Sequence, residues 1–221
     1  MGDGTHMNTD DEAPDADGLT EAEFLARYNP GDWQRPSVTV DIVVFAPDAG
    51  TDTEAGGNRS GKILLIKRGG HPCLGMWALP GGFVNPDETL GQAASRELRE
   101  ETGIDIDCKQ LKQVYALSKP GRDPRTWIIS VTHLAAVDAR GALINPEAGD
   151  DAAEAKWFDL KLGKREGRYH LRLSNANITL AATVERDEIT GEFVATENTG
   201  LAFDHAEMIC YALERVDRFS D

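Results

Sequence analysis

The spacing of apolar and polar residues along the chain predicts strands and helices that alternate. Strands are expected where apolar and β-branched residues alternate or form short runs between turn residues. This pattern covers residues 37–45, 62–68, 77–79, 111–117, 127–137 and 156–160. Helical spacing and strong helix formers predict helices at residues 19–28, 88–102 and 201–216. Strands flanked by helices favour an α/β fold.

A further strand pattern lies between the last predicted strand and the last helix. Residues 169–184 and 192–195 have the composition of the two arms of a β-ribbon, which is predicted to turn near Thr190 and Gly191. No linker rich in Pro, Gly or Ser divides the chain after that point or before it. The main part of the chain is therefore expected to form one domain.

Charge and composition restrict the partners of this domain. The chain of 221 residues has a formal net charge of −15, and residues 1–23 contain eight acidic side chains without Lys or Arg. We expect an acidic, disordered tail over residues 1–23 and a single domain over residues 24–221. The acidic balance argues against nucleic-acid binding. A phosphate substrate would need a cation to offset the repulsion, and a divalent metal ion is the natural candidate.

The same composition argues against a membrane protein or an exported one. No apolar run approaches the ~18 residues of a membrane span, and the N-terminus lacks the pattern of a secretory signal. The cysteines, Cys73, Cys108 and Cys210, have no metal-ligand spacing. We interpret them as reduced thiols in a cytoplasmic protein.

The clearest chemical signal is the segment over residues 82–104, GFVNPDETLGQAASRELREETGI. On a helix, Glu97, Glu100 and Glu101 project from a common side within about one turn and repel one another. Carboxylate oxygens suit Mg²⁺ or Mn²⁺, and these ions also bridge phosphate oxygens. The three glutamates therefore predict a Mg²⁺ site, with Mn²⁺ as the alternative ion.

Residues next to the glutamates are expected to support this site. The run Pro-Gly-Gly over residues 80–82 lets the backbone come close to a metal or a phosphate, which places Gly82 at the predicted metal site. We expect Arg96 to orient a glutamate through a hydrogen-bonded pair. Glu88 is predicted to fix the loop before the helix.

This segment resembles the signature of the Nudix hydrolases, G-x5-E-x7-R-E-U-x-E-E-x-G-U, in which U is aliphatic. Every specified position matches: Gly82, Glu88, Arg96, Glu97, Leu98, Glu100, Glu101, Gly103 and Ile104. The resemblance covers most of residues 35–213 and points to the ADP-ribose pyrophosphatase-like branch, which is related to the Nudix domain of NrtR-type regulators. The fold it implies is an α/β/α sandwich with a mixed central sheet, to which the β-ribbon is an addition.

The resemblance also implies a reaction. Glu97, Glu100 and Glu101 would hold Mg²⁺, and water would attack a phosphorus of a nucleoside diphosphate linked to another group. With ADP-ribose, the products would be AMP and ribose 5-phosphate. Other nucleotide sugars, NADH, dinucleoside polyphosphates and oxidised nucleoside triphosphates stay open as substrates, because the signature serves all of them alike.

A non-catalytic ADP-ribose sensor is the second class of function. NrtR-type regulators carry a DNA-binding winged helix after the final helix. The sequence leaves no room for that domain after residue 216, and its signature is intact. Both observations favour an enzyme.

The general base and the substrate contacts are predicted from residues outside the signature. Enzymes that the chain resembles often take the base from a later acidic loop, here residues 147–154; the candidates are Glu147, Asp150, Asp151 and Glu154, with Glu154 favoured. Glu97 is the alternative base. Guanidinium groups suit phosphates, and the candidates are Arg68, Arg122 and Arg125. An adenine ring needs an aromatic slot, for which Phe83, Tyr28 and Trp33 are candidates.

The remaining expectations concern histidines and assembly. His71, His133, His170 and His205 show no metal-ligand spacing and are interpreted as structural. Asp204 next to His205 suggests a helix cap. The ribbon is longer than a minimal Nudix domain needs, and we interpret it as a contact in a homodimer.

Overall fold

Residues 13–48, 58–138, 145–149 and 152–219 are described by the computed structural model. The chain divides into two units, Met1–Arg35 and Pro36–Asp221. The predicted disorder of the tail falls largely on residues 1–12, which lie outside the described residues.

The first unit contains one short helix, α1 (Glu21–Arg27), in its described part. Thr20 caps it in a capping box, since its side chain accepts from the Glu23 backbone while the Glu23 carboxylate accepts from the Thr20 backbone. The predicted helix over residues 19–28 and its Thr20 cap are therefore confirmed. Tyr28 and Trp33 are exposed in this unit.

The second unit is built on one mixed sheet, which has ten strands within the described residues. The strands are β1 (Ser37–Pro47), β2 (Arg59–Arg68), β3 (Trp77–Ala78), β4 (Gly81–Phe83), β5 (Lys112–Leu117), β6 (Ile128–Ala136), β7 (Ala152–Arg165), β8 (Arg168–Asn175), β9 (Ile178–Arg186) and β10 (Phe193–Thr199). Their order is β10-β9-β8-β7-β2-β1-β6-β5, with β3 paired to β2 and β4 to β1. Strands β1 and β6 are parallel and the other named pairs are antiparallel, so the sheet is mixed.

Two helices pack on the sheet through separate hydrophobic clusters. Helix α2 (Leu90–Thr102) shares one cluster with Val40, Ile42 and Val44 of β1. Helix α3 (His205–Arg215) shares another cluster with Val43 and Phe45 of the same strand. Along β1, these two residues alternate with those that contact α2. Because alternate side chains of a strand point to opposite faces, the helices cover opposite faces of the sheet. The α/β class is thus confirmed. None of the helices in the described residues is long and apolar enough to cross a membrane.

The predicted β-ribbon differs from the structure in its strand limits. Residues 169–184 form not one arm but the hairpin of β8 and β9, and β10 adds a third strand. The hairpin turns at Ala176, which has φ of 46° and lies between two asparagines. Asparagine favours turns, but the predicted ribbon had no turn at this position. The three strands extend the main sheet beyond β7. One of their faces is buried in the cluster that contains α3.

Two predicted strands are longer than expected. The sequence favours a polar loop over residues 46–61, followed by a strand from residue 62. In the structure, strand β2 already begins at Arg59, and residues 49–57 lie outside the described residues. Strand β7 begins at Ala152 rather than at residue 156, and it pairs with β2 over residues 152–162. This difference changes the position of Glu154, which is a strand residue.

Candidate active site

A cavity of about 630 Å³ lies at one end of the sheet in the second unit. Its walls come from β1, the end of β2, β4, α2, the loop over residues 122–125, the start of β7 and the residues just before α3. Its lining includes eight predicted site residues: Arg68, Gly82, Phe83, Arg96, Glu97, Glu101, Arg122 and Arg125. Glu100 and Glu154 are not among the described lining residues.

Helix α2 brings the glutamates to this cavity because its ends are fixed. Thr89 and Gln92 form a capping box at the start, and Gly103 ends the helix with φ of 69°, a conformation that favours glycine. The apolar face of the helix, which includes Leu98, is buried against the sheet. Glu97 and Glu101 are one turn apart and face the cavity.

Arg96 connects the carboxylates that surround it. Its guanidinium donates to both oxygens of Glu88 (Nε to Oε2 at 2.9 Å, a terminal nitrogen to Oε1 at 2.5 Å), to Glu97 at 2.7 Å, to Glu100 at 3.0 Å and to the Phe83 carbonyl at 3.0 Å. The hydrogen bonds from Arg96 hold the pKa of Glu88 at about 2. Glu88 also accepts from the Asn85 backbone at 2.8 Å, so it fixes the loop before α2 as predicted.

Glu100 differs from the other two glutamates. Its side chain is 40% exposed and turned toward Arg96, whereas the Glu97 side chain is 12% exposed. Arg96 nevertheless binds Glu97 and Glu100 through the same terminal nitrogen, so the expectation that the three carboxylates share one side is not contradicted. Arg96, four residues before Glu100, holds it on the outer edge of the cluster.

Burial raises the pKa of the two glutamates that face the cavity. For Glu101 burial raises the pKa to about 8, against the backbone N–H of Gly81, which donates to its carboxylate at 2.8 Å. For Glu97 burial again raises the pKa, and the hydrogen bond from Arg96 opposes it. A carboxylate that is desolvated without a matching cation is prepared to accept one.

The donor set fits a hard divalent ion. A Cβ at Gly82 would lie 2.5 Å from the Glu97 carboxylate, so the missing side chain leaves room for that group beside the backbone of β4. No group of three His, Cys, Asp or Glu side chains in the described residues converges closely enough to hold a metal by itself. Mg²⁺ commonly takes one or two carboxylates and completes its shell with water and substrate phosphates. The pair Glu97 and Glu101 meets that requirement.

The predicted phosphate-binding arginines have different partners. Arg122 is bound to both oxygens of Asp204, at 2.7 and 2.5 Å, and its side chain is only 6% exposed. Burial opposes the charge of Arg122, but Asp204 outweighs it and raises the pKa. Arg125 is bound to both oxygens of Asp123, at 3.0 and 2.8 Å.

Arg68 and the aromatic residues complete this wall of the cavity. Arg68 donates from Nε to the Pro72 carbonyl at 2.8 Å, and its guanidinium carbon lies 5.1 Å from the centre of the Phe203 ring. Phe83 is 44% exposed, with the Arg125 guanidinium carbon 5.2 Å from its ring centre. Tyr28 and Trp33, the other aromatic candidates, belong to the first unit.

The proposed general base Glu154 is not placed for that role. It lies in β7 opposite Lys67, and its carboxylate is bound to Lys67 and Lys156. Those hydrogen bonds, Lys156 first, lower its pKa. The loop prediction was wrong for Glu154, because β7 already begins at Ala152. Glu147 is exposed, and Asp150 and Asp151 lie outside the described residues.

Several cavity residues were missed by sequence reasoning. Asp41 lines the cavity, accepts a hydrogen bond from Ser130, and its Oδ1 lies 3.6 Å from Nε2 of His205. His205 is buried and lines the same cavity, where its Nδ1 accepts from the Leu79 backbone at 2.8 Å. Asp204 makes no side-chain cap bond, so the predicted cap is wrong. For Asp204 and His205, the sequence signal was their position at a helix start, which suggested a cap.

Comparisons with known proteins agree with this geometry. The chain matches the family model described as NUDIX domain over residues 27–173. The ADP-ribose pyrophosphatase of Methanocaldococcus jannaschii is 48% identical over 125 residues, which are 57% of this chain and 63% of that protein. The chain thus spans less than two thirds of the length of that relative.

Two solved structures share the fold over most of the chain. A MutT/nudix family protein from Enterococcus faecalis has a TM-score of 0.68 and 33% identity, covering 90% of this chain and 70% of that one. The NUDIX domain of Shewanella oneidensis NrtR, in complex with ADP ribose, has a TM-score of 0.60 and 27% identity, covering 90% and 99%.

Proposed function

The chain belongs to the Nudix family, and from that premise we propose that it hydrolyses ADP-ribose to AMP and ribose 5-phosphate. The observation that carries the proposal is a pair of glutamates on α2, Glu101 buried and Glu97 half-buried, which face a cavity that arginines and a partly exposed phenylalanine also line. The name of the relative from M. jannaschii and the ligand of the Shewanella oneidensis NrtR domain support ADP-ribose as the substrate. The cavity volume falls within the range of small-molecule sites.

In this proposal each residue has a distinct role. Glu97 and Glu101 hold a divalent metal ion, Mg²⁺ or Mn²⁺, beside the diphosphate, and Gly82 leaves space for the Glu97 carboxylate. Arg96 fixes Glu97 in position. When bound, the ion would neutralise phosphate charge and lower the pKa of a water bound to it.

The substrate groups on either side of the metal have their own contacts. The exposed part of the Phe83 ring offers a stacking surface for the adenine. Arg68 faces the phosphates, and Arg122 and Arg125, each held by an aspartate, line the cavity as further hydrogen-bond donors. Guanidinium groups in a partly buried cavity bind phosphate oxygens in pairs.

The water that attacks phosphorus needs a proton acceptor. We favour Glu97 over Glu154, because Glu97 faces the cavity whereas Glu154 is committed to two lysines. In the balanced reaction, one water adds to one phosphorus, the bond to the bridging oxygen breaks, and AMP and ribose 5-phosphate leave.

A substrate panel tests this proposal. The protein is incubated with ADP-ribose, NADH, UDP-glucose, diadenosine polyphosphates and 8-oxo-dGTP, with Mg²⁺, with Mn²⁺ and with chelator, and products are identified by mass spectrometry. Glu97→Gln is the inactive control. We expect AMP to form fastest from ADP-ribose and only with metal. Faster turnover of another substrate would contradict the substrate assignment, and tight ADP-ribose binding without any turnover would favour the sensor.

Two further predictions from the sequence accompany this function. We propose a homodimer whose contact involves β8, β9 and β10, and a cytoplasmic location. Light scattering of the purified protein tests the dimer, since a monomer at high protein concentration would contradict it. Fractionation of the source cells tests the location.

A further inference from the structure

The residues between β10 and α3 have an unusual backbone. Phe203 has φ of 46°, in the left-handed region that aromatic residues rarely adopt. Such conformations are strained and concentrate at functional sites. Here the turn places Phe203 and His205 at the cavity, while Asp204 between them binds Arg122. The three consecutive residues thus serve one wall of the cavity.

Arg68 has a different environment from the other cavity arginines. Arg96, Arg122 and Arg125 each bind at least one carboxylate. Within the part of the chain that the structure describes, Arg68 forms no ion pair; its contacts are the Pro72 carbonyl and the face of Phe203. No carboxylate of these residues contacts it directly, and Glu101 interacts with its charge only at longer range.

We propose that Phe203 is a positioning residue for phosphate binding, which holds the guanidinium of Arg68 toward the substrate in the cavity. An aromatic ring attracts a guanidinium through its quadrupole. Unlike a carboxylate, the ring carries no net charge, so it orients the cation and leaves the charge to a ligand. The Pro72 carbonyl occupies Nε, and neither terminal nitrogen donates a hydrogen bond to another described residue, so both can donate to a ligand. The inference rests on the proposed function, because a diphosphate is the ligand that Arg68 would receive.

Four variants separate the ring from the backbone. Phe203→Gly removes the ring but suits the left-handed backbone, and Phe203→Tyr keeps the ring. Arg68→Gln removes the charge, and the double variant Arg68→Gln with Phe203→Gly completes the cycle. Phe203→Leu, which keeps much of the volume without a π face, replaces Phe203→Gly if that variant fails to fold. Thermal unfolding verifies each protein.

The measurement is calorimetric binding, in Mg²⁺, of the uncleavable α,β-methylene analogue of ADP-ribose and of inorganic pyrophosphate. We expect Phe203→Gly to weaken both ligands about fivefold and Arg68→Gln to weaken both about thirtyfold. Phe203→Tyr should stay within about twofold. In the Arg68→Gln background, removal of the ring should have no further effect, because the ring acts through the arginine.

The outcomes separate this inference from the proposed function. Equal losses from Phe203→Gly in both backgrounds, or no loss in the wild-type background, would overturn the inference, as would a wild-type protein that binds neither ligand. If the wild type binds pyrophosphate with the expected coupling but does not bind the ADP-ribose analogue, the positioning role stands and the substrate assignment fails.

Discussion

Helices α2 and α3 cover opposite faces of one sheet, and each buries a glutamate. Glu101 of α2 accepts from the Gly81 backbone at 2.8 Å, and Glu207 of α3 accepts from the Ala195 backbone at 3.0 Å. Burial raises the pKa of both carboxyl groups. The two side chains thus have the same kind of hydrogen bond and the same direction of pKa shift.

Their surroundings differ in one decisive respect. Glu101 lines the cavity beside Glu97, whereas Glu207 is not among the described residues that line it, and its Oε2 has no hydrogen-bond partner among the described residues. A raised pKa is therefore not enough to identify a functional carboxylate. The presence of a cavity and of a second carboxylate distinguishes the two, and this comparison can be tested.

Removal of each carboxylate charge should have very different effects on turnover. We expect Glu101→Gln to lower kcat/KM for ADP-ribose about a thousandfold, since it removes a metal-binding oxyanion. The matched variant Glu207→Gln should stay within about twofold of the wild type. Steady-state kinetics at saturating Mg²⁺ measure both. A large loss from Glu207→Gln in a folded protein would contradict the distinction drawn between the helices.

Loss of a buried apolar side chain should also have different effects in the two helices. In α3 it should lower stability alone, and in α2 it should lower both stability and kcat. Ile209 of α3 is fully buried in the larger cluster; it lies one turn after His205 and is not among the described residues that line the cavity. We expect Ile209→Ala to lower the free energy of unfolding by about 2–5 kcal/mol through the cavity it leaves. Below the melting temperature its kcat should be unchanged.

The corresponding residue of α2 should behave differently. Leu98 is also fully buried, but it follows Glu97 directly and lies one turn before Thr102. Leu98→Ala should lower stability by a similar amount and reduce kcat as well, because α2 sets the positions of Glu97 and Glu101. Chemical denaturation and kinetics on both variants check this contrast; equal kcat values would contradict it.

The pH dependence of stability should report the burial of Glu101. Its folded pKa of about 8 lies above the ordinary value of 4.5, so the folded state binds more protons than the unfolded state between these values. This group therefore lowers the stability of the metal-free protein by about 1.4 kcal/mol per pH unit as pH rises from 4.5 to 8.

Urea unfolding in the presence of chelator measures that slope. Glu101→Gln should gain stability relative to the wild type as pH rises, and Mg²⁺ should reduce the difference by favouring the ionised carboxylate. A constant difference between the two proteins across this range would show that Glu101 keeps an ordinary pKa in the folded protein.

The same contrast between helices explains what the sequence could predict. The signature specified α2, its glutamates and the contacts of Arg96 with carboxylates, because those contacts are local: the partners lie one to eight residues apart. The α3 end could not be predicted, because Asp204 binds Arg122 and His205 binds Leu79, contacts across 82 and 126 residues. A local pattern at residue 204 looks like a cap whatever its distant partner is.

Strand limits failed for a related reason. The predicted start of β7 rested on the acidic residues before Trp157, whose polarity resembles that of a loop. In the structure β7 pairs with β2, and the lysine opposite Glu154 makes a charged strand position favourable. The sheet partner, which is unknown from the sequence alone, decides whether such residues form a strand or a loop.

The smallest expected effect concerns the starts of the two helices. Thr89 caps α2 through its side chain, while Asp204 at the start of α3 makes no such bond. Thr89→Ala should lower the free energy of unfolding by about 1 kcal/mol, and Thr89→Ser, which keeps the acceptor, should restore most of it. Since the cap acts on stability and touches neither glutamate, KM should not change. A raised KM in Thr89→Ala at full folding would instead mean that the cap helps to position Glu97 and Glu101, and α2 would then be less rigid than its other contacts indicate.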